Sequence, residues 1–228
     1  MGKAIFVTGT GTDVGKTYVT GRMVKKLRDA GWNSSYYKAA LSGAIRDKNG
    51  ILQPGDALQV KAMAGLAEAV PELVSYIYEE PVSPHLAALH TGRPIDFQKV
   101  QRDFQAARAR SDYLTMEGSG GIVCPLRWDH EQHMLLDDLV KELDLAVMIV
   151  ADAGLGTING TVLTIEHLRA KSIPVQGVIF NHCHPGNEME DDNATMIEAM
   201  TGIKIVARVP DGATDLDIDA EALAGLYR

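Results

Sequence analysis

The stretch Ala4-Ile-Phe-Val-Thr-Gly-Thr-Gly-Thr-Asp-Val-Gly-Lys-Thr17 decides how this chain is read. Its first five residues form an apolar, β-branched run; a glycine-rich turn follows; from Lys16 the apolar spacing becomes helical. Strand, glycine-rich turn closing on Gly-Lys-Thr, then helix is the context a phosphate-binding loop requires. Gly11 and Gly15 let the backbone approach phosphate oxygens, while successive N–H groups and the helix N-terminus present partial positive charge to them. Lys16 adds a full charge, and the Thr17 hydroxyl suits Mg²⁺. The loop is a variant: the position five residues before Gly15, usually glycine, is Thr10, flanked by Gly9 and Gly11. The competing reading is a glycine-rich turn with a solvated lysine.

Downstream, apolar runs bounded by turn residues alternate with helical segments, the mark of repeated βαβ units. The expected order is a strand over Ala4–Thr8, a helix over Lys16–Asp29 closed by Gly31, a strand over Ser34–Tyr37 and a helix over Asp56–Ala64. A short helix near Pro84–Leu89, a longer one over Phe97–Arg108 and a strand over Tyr113–Met116 come next, ending in the turn Glu117-Gly-Ser-Gly-Gly121. Then follow a helix over Met134–Leu143, a strand over Ala146–Ala151, a helix over Thr161–Lys171, a strand over Val175–Phe180, a helix over Asn193–Thr201 and a strand over Ile203–Val209. The nearly continuous apolar strands from Ala146 and Val175 belong inside the sheet. The expected fold is α/β, a single P-loop NTPase domain over residues 1–228 with a mainly parallel sheet and helices on both faces. Ligands in such sheets bind beyond the carboxyl ends of the strands.

A chain of 228 residues, 46% hydrophobic and 23% charged, suits one globular domain. Its formal net charge of -8 disfavours nucleic acid or membrane surfaces as partners. An anionic nucleotide must be held by local geometry instead. No apolar stretch reaches the roughly 18–20 residues of a membrane span. Met1 runs straight into the first strand without the basic and long apolar regions of a signal peptide. With only Cys124 and Cys183 present, a reducing compartment, the cytoplasm, is expected.

Other polar residues gather at expected strand ends. Glu117 closes the strand over Tyr113–Met116 beside a flexible loop; it reads as a carboxylate for Mg²⁺, direct or through water, or as an exposed residue at a turn. Asp56, after Pro54-Gly55, reads as a helix N-cap or as a second such carboxylate. Lys38 and Ser42 fall in the loop after the second strand, where a surface lysine and a turn serine are the plain alternative.

Taken together, Gly9-Thr-Gly-Thr-Asp-Val-Gly-Lys-Thr17, Tyr37-Lys38 with Ser42-Gly43, Asp56-Ala-Leu58, Ser83-Pro-His85, Glu117-Gly-Ser-Gly-Gly121 and Asn181 resemble the dethiobiotin synthetase family along almost the whole chain. The resemblance implies ATP and Mg²⁺, 7,8-diaminopelargonic acid (diaminononanoate) and carbon dioxide as reactants, dethiobiotin as product, and a homodimer. It implies that Gly11, Thr12, Asp13, Val14, Gly15, Lys16, Thr17 and Tyr18, together with Asp56, Glu117, Gly118, Ser119 and Gly120, surround the nucleotide. Thr17, Asp56 and Glu117 would hold the metal. Thr12, Lys38 and Ser42 would surround the reacting carbamate, and Lys16 would join them in catalysis from the phosphate side. Gly154-Leu155-Gly156-Thr157 and Asn159 would hold the substrate carboxylate from the neighbouring subunit, while Asn181 and Pro210 would meet the adenine.

The sequence departs from the family after Asn181, where His182-Cys183-His184-Pro185 follows, and the segment after Pro210 is short. The histidine–cysteine cluster lacks a second ligand group at metal spacing, so a polar loop is expected there. His130 and His133 are read as solvated. Partitioning ATPases of related fold carry a lysine where Gly11 stands, in the form KGGxGKT, which counts against a nucleotide-switched binding protein. Amide-forming ligases that hydrolyse glutamine need a further domain with a nucleophilic cysteine, and neither Cys124 nor Cys183 has that setting.

Overall fold

The apolar run at the N-terminus becomes β1 (Lys3–Gly9), in which only Lys3 is exposed. Ile5 and Val7 face one layer of the core and Ala4 and Phe6 the other, as the two-residue period of a strand requires. The computed structural model describes residues 2–228. After β1 come α1 (Lys16–Asp29), β2 (Ser34–Leu41), the small pair β3 (Ile45–Arg46) and β4 (Leu52–Gln53), α2 (Gly55–Ala64), α3 (Val70–Leu73) and β5 (Val74–Ile77). The middle holds α4 (Pro84–Thr91), α5 (Phe97–Ala109), β6 (Tyr113–Gly121), β7 (Pro125–Trp128), β8 (His133–Leu135) and α6 (Leu136–Glu142). β9 (Val147–Asp152), α7 (Thr157–Ala170), β10 (Val175–Cys183), α8 (Glu188–Thr201), β11 (Ile205–Pro210) and α9 (Ala220–Gly225) complete the order.

Seven strands form one sheet in the order β11-β10-β9-β1-β6-β2-β5, every neighbouring pair parallel. β1 lies at the centre, so the loop after it opens at the middle of the carboxyl edge. On the Ile5 face, Met23 and Leu27 of α1 pack with Leu223 and Ala224 of α9. On the Phe6 face, Phe104 of α5, Leu139 of α6, Ile165 of α7 and Ile197 of α8 close the core. A third group, Val24, Tyr36, Ala57 and Val60, seats α2 against α1 and β2. Among the described residues no helix is long and apolar enough to cross a membrane.

The structure moves several expected boundaries, each for a local reason. β2 continues through Lys38 to Leu41 because β5, a strand too short to be read from sequence, pairs along it from Lys38 to Leu41. β6 likewise runs through the expected turn to Gly121, which pairs with Gly9. The expected helix from Met134 gives way to a β7–β8 hairpin, and α6 starts only at Leu136, whose N–H donates to the Cys124 carbonyl at 2.8 Å. α7 opens at Thr157 rather than Thr161, from the left-handed residue Gly156. α8 opens at Glu188 rather than Asn193, because the Asn187 side chain accepts from the Met189 and Glu190 N–H groups and three acidic residues sit in its first turn.

Gly118 is a packing glycine, not a flexible one. A β-carbon there would stand 2.7 Å from the Phe6 ring and 3.1 Å from Leu136. Gly118→Val should therefore overpack the centre of the sheet and lower stability by roughly 1–3 kcal/mol. A urea-unfolding midpoint equal to that of the parent protein would show that Phe6 and Leu136 can yield.

Candidate active site

The turn between β1 and α1 is held in a phosphate-loop conformation by positive φ angles at Asp13 (61°) and Gly15 (86°). Glycine is required at position 15 by space as well, since a β-carbon would lie 2.0 Å from Asn181 Nδ2. Asn181, at the end of β10, donates from Nδ2 to the Val14 carbonyl at 3.1 Å and so braces the loop. Lys16 Nζ donates to the Gly11 carbonyl at 2.8 Å, folding the loop around its own ammonium. Position 11 is open, with nothing within 4 Å of an added β-carbon, so no crowding explains the absence of a lysine there.

Beside this loop β2 and β6 place Lys38 opposite Glu117. Lys38 Nζ donates to Glu117 Oε1 at 2.7 Å and to Asp56 Oδ2 at 2.5 Å. Thr17 Oγ1 donates to Glu117 Oε1 at 2.8 Å, and the Tyr36 hydroxyl donates to Oε2 at 3.1 Å. Glu117 is 1% exposed and Lys38 4% exposed, so the expected loop lysine and turn carboxylate are a buried cross-strand pair. Asp56 is the second residue of α2 and makes no capping bond; Pro54 holds the N-cap position and the Asp56 carboxylate turns to Lys38. Tyr36 escaped the sequence reading, though it lies two residues before Lys38 on the same strand face, a relation the period of a strand makes visible.

Electrostatics separate the two lysines. Burial pulls the Lys38 pKa down, but Glu117 and Asp56 outweigh it and leave the value above the ordinary lysine range. Burial also lowers Lys16, and there the positive charge of Lys38 adds to the effect, so its pKa falls despite the nearby carboxylates. Tyr36 is held well above its usual value, first by burial and then by Glu117. Its hydroxyl stays a donor.

These groups open into a cleft of about 880 Å³. Of the residues named from sequence, Thr12, Asp13, Gly15, Lys16, Thr17, Tyr18, Lys38, Ser42, Asp56, Ser83, Pro84, Glu117, Ser119, Gly120, Gly121 and Cys124 line it, joined by residues including Gln59 and Val82. Gly11, Val14 and Gly118 do not line it. Burial pushes the Cys124 thiol up to about 11, which keeps it neutral and poorly nucleophilic. Neither Asn181, two residues before the end of β10, nor Pro210, the last of the adjacent β11, lines the cleft; Asn181 meets the phosphate loop at the Val14 carbonyl. The segment Gly154–Asn159 stands apart, with Leu155 92% exposed and Asn159 also exposed. The polar loop expected after Phe180 is instead strand through Cys183, because β10 goes on pairing with β11 to Pro210; within it His182 meets Asp152, and just beyond it His184 meets Glu190. His130 and His133 are exposed, and the His133 ring stacks on Trp128.

A family model described as an AAA domain matches residues 3–214. The chain is 49% identical over 217 residues to an ATP-dependent dethiobiotin synthetase of Brachyspira hyodysenteriae, covering 95% of this chain and 96% of the relative. It is 42% identical over 210 residues to the enzyme of that name from Clostridium perfringens strain 13 (92% and 91% covered). A third, from Clostridium botulinum strain Alaska E43, is 42% identical over 227 residues (100% and 99% covered). Among solved structures, the MinC:MinD cell division complex of Aquifex aeolicus superposes with a TM-score of 0.55 at 16% identity, covering 98% of this chain and 93% of that one. A ParA family ATPase from Chlorobium tepidum gives 0.55 at 14%, covering 99% and 90%. These two likenesses establish the P-loop NTPase fold alone.

Burial, and then the positive charge of Lys38, hold the Lys16 pKa below the ordinary 10.5, so its charge is lost at lower pH than that of a free lysine. Lys38, shifted the other way, keeps its charge throughout. ATP affinity measured calorimetrically from pH 7 to about 10 should therefore decline on the alkaline side; a flat profile would contradict the burial of Lys16.

Proposed function

The chain belongs to the ATP-dependent dethiobiotin synthetases, and from that premise we propose how its residues divide the work of closing a cyclic urea on 7,8-diaminopelargonic acid with carbon dioxide and ATP. The observation that carries the assignment is the convergence of Lys16, Thr17, Lys38, Asp56 and Glu117 at one cleft. The reaction makes one amine of the substrate a carbamate by adding to carbon dioxide and losing a proton. A carbamate oxygen then attacks the γ-phosphorus of ATP, ADP leaves, and a carbamic–phosphoric anhydride remains. The second amine attacks its carbonyl carbon, phosphate departs, and the ring of dethiobiotin closes.

The physical difficulty lies in the second stage, where an anionic carbamate approaches an anionic phosphoryl group. Lys16 acts from the phosphate loop on the β- and γ-phosphate oxygens. Lys38, with Thr12 and Ser42, acts on the carbamate and the bridging oxygen. Both ammonium groups are buried and held by carboxylates or carbonyls, so their charge is oriented before the reactants meet. The loop N–H groups and the start of α1 complete the phosphate cradle, with Tyr18, Ser119 and Gly120 on its walls.

Mg²⁺ fits the donors present, because the Thr17 hydroxyl and the carboxylates of Asp56 and Glu117 are hard oxygen ligands grouped beside the phosphate loop. When bound it would neutralise phosphate charge. Asn181 and Pro210 take the adenine. The segment Gly154–Asn159 does not line this cleft, which suits its serving the active site of a second subunit in a homodimer, the substrate carboxylate resting at the N-terminus of α7. The whole chain acts as one domain in the cytoplasm.

Incubation with the diamine, bicarbonate, Mg²⁺ and ATP should yield a product with the mass of the cyclic urea and release phosphate only when diamine is present. ATP hydrolysis indifferent to the diamine would indicate a nucleotide switch instead. Lys38→Ala should remain folded and lose about 100-fold or more in kcat, the scale of a removed transition-state donor. An alanine variant with the parent rate would remove Lys38 from the mechanism.

A further inference from the structure

Near its end β10 carries one residue more than the stretch of β11 it pairs with. Asn181 pairs with Val209 and Cys183 with Pro210 of β11, leaving His182 between them as the extra residue of a bulge. Its φ of 54° lies in the left-handed region, which side chains with a β-carbon seldom enter. Bulges re-aim side chains, and residues held in such conformations gather at functional sites. Here the imidazole is turned between two polar partners: Nδ1 lies 2.8 Å from Asp152 Oδ2, and Nε2 lies 3.1 Å from Asn181 Nδ2. A carboxylate can only accept, so the ring proton sits on Nδ1 and Nε2 offers a lone pair to the amide.

This gives the row Asp152–His182–Asn181 a polarity. Asn181 Nδ2 has two hydrogens, one directed at the Val14 carbonyl at 3.1 Å and the other at His182 Nε2. Turning the amide over would set its oxygen against two acceptors. Oδ1 accepts none of the hydrogen bonds formed among the described residues, and it is the part of the amide left to meet a ligand. A lone acceptor favours a base with an exocyclic amine and opposes a base with a carbonyl at the same place, where oxygen would face oxygen.

We propose that His182, anchored by Asp152, is a positioning residue for base recognition: it locks the Asn181 amide with Oδ1 toward the nucleotide and so selects adenine over 6-oxopurines. The proposal rests on the reading of Asn181 as the residue that meets the base. Without His182 a flipped amide loses one hydrogen bond in place of two, and discrimination falls by the few-fold to roughly tenfold that one such bond governs.

Inosine triphosphate differs from ATP by this exchange of amine for carbonyl, so the full-length enzyme assayed with each, with diamine, bicarbonate and Mg²⁺ constant, gives the test. The parent should favour ATP in kcat/KM by tenfold or more. In His182→Gly, which accepts the left-handed backbone while removing the ring, the ATP-to-inosine-triphosphate ratio should narrow several-fold, the loss falling on KM for ATP rather than on kcat. His182→Asn, also tolerated at positive φ, carries the same comparison if the glycine variant does not fold. A ratio unchanged in His182→Gly while Asn181→Ala collapses it would overturn the relay and leave the base contact standing. A ratio unchanged in Asn181→Ala, or no preference in the parent enzyme, would overturn the base contact and the relay with it.

Discussion

The site hangs on one buried ion pair, Lys38 Nζ on Glu117 Oε1 across the β2–β6 register. A charge pair taken out of water is a poor source of stability, because desolvation offsets most of the attraction. Its use is geometric. Glu117 accepts from Lys38, Thr17 and Tyr36 together, and Lys38 reaches Asp56 with the same ammonium. Side chains from β2, β6, α1 and α2 are thereby fixed relative to one another by Glu117 and Lys38 together, next to a loop whose own lysine is tied to the Gly11 carbonyl. The register of two parallel strands thus sets where charge stands when anions arrive.

Both lysines carry charge in the same cleft, and they divide its demands because their surroundings differ. Lys38 has two carboxylates at hydrogen-bond distance. Lys16 has only a carbonyl partner and feels Lys38 as a repulsive neighbour. In the proposed reaction an arriving phosphate would supply Lys16 with the counter-charge that the protein leaves short. Lys38 is already satisfied, and in that proposal a carbamate would compete with Asp56 and Glu117 for it.

Much of this was legible in the sequence because local pattern and function coincide at the phosphate loop: β1, the loop and α1 fall where Ala4–Thr17 puts them. The order of helices and parallel strands followed from periodicity, and the family followed from motifs spread along the chain. Lys38 was harder. Sequence pattern ends its strand at Tyr37, because the partner that extends it, β5, is four residues long and carries no local signal. The glycines after Glu117 misled in the same way, since glycine suggests a turn, whereas Gly118 is small to admit Phe6. The row Asp152–His182–Asn181 could not be read at all, for it joins two strands through a bulge that only pairing between β10 and β11 defines.

The position of β1 also bears on how the protein is made. The central strand is the first synthesised, yet its sheet neighbours arrive late: Lys3 pairs with Tyr113 of β6, and Phe6 with Val147 of β9. At roughly 5–20 residues per second, the ribosome leaves Ile5-Phe-Val7 without either edge partner for on the order of ten seconds. An apolar strand with both edges open is a template for pairing with other chains. The centrality that aims the phosphate loop at the middle of the sheet therefore leaves this strand's edges open in the nascent chain until β6 and β9 emerge.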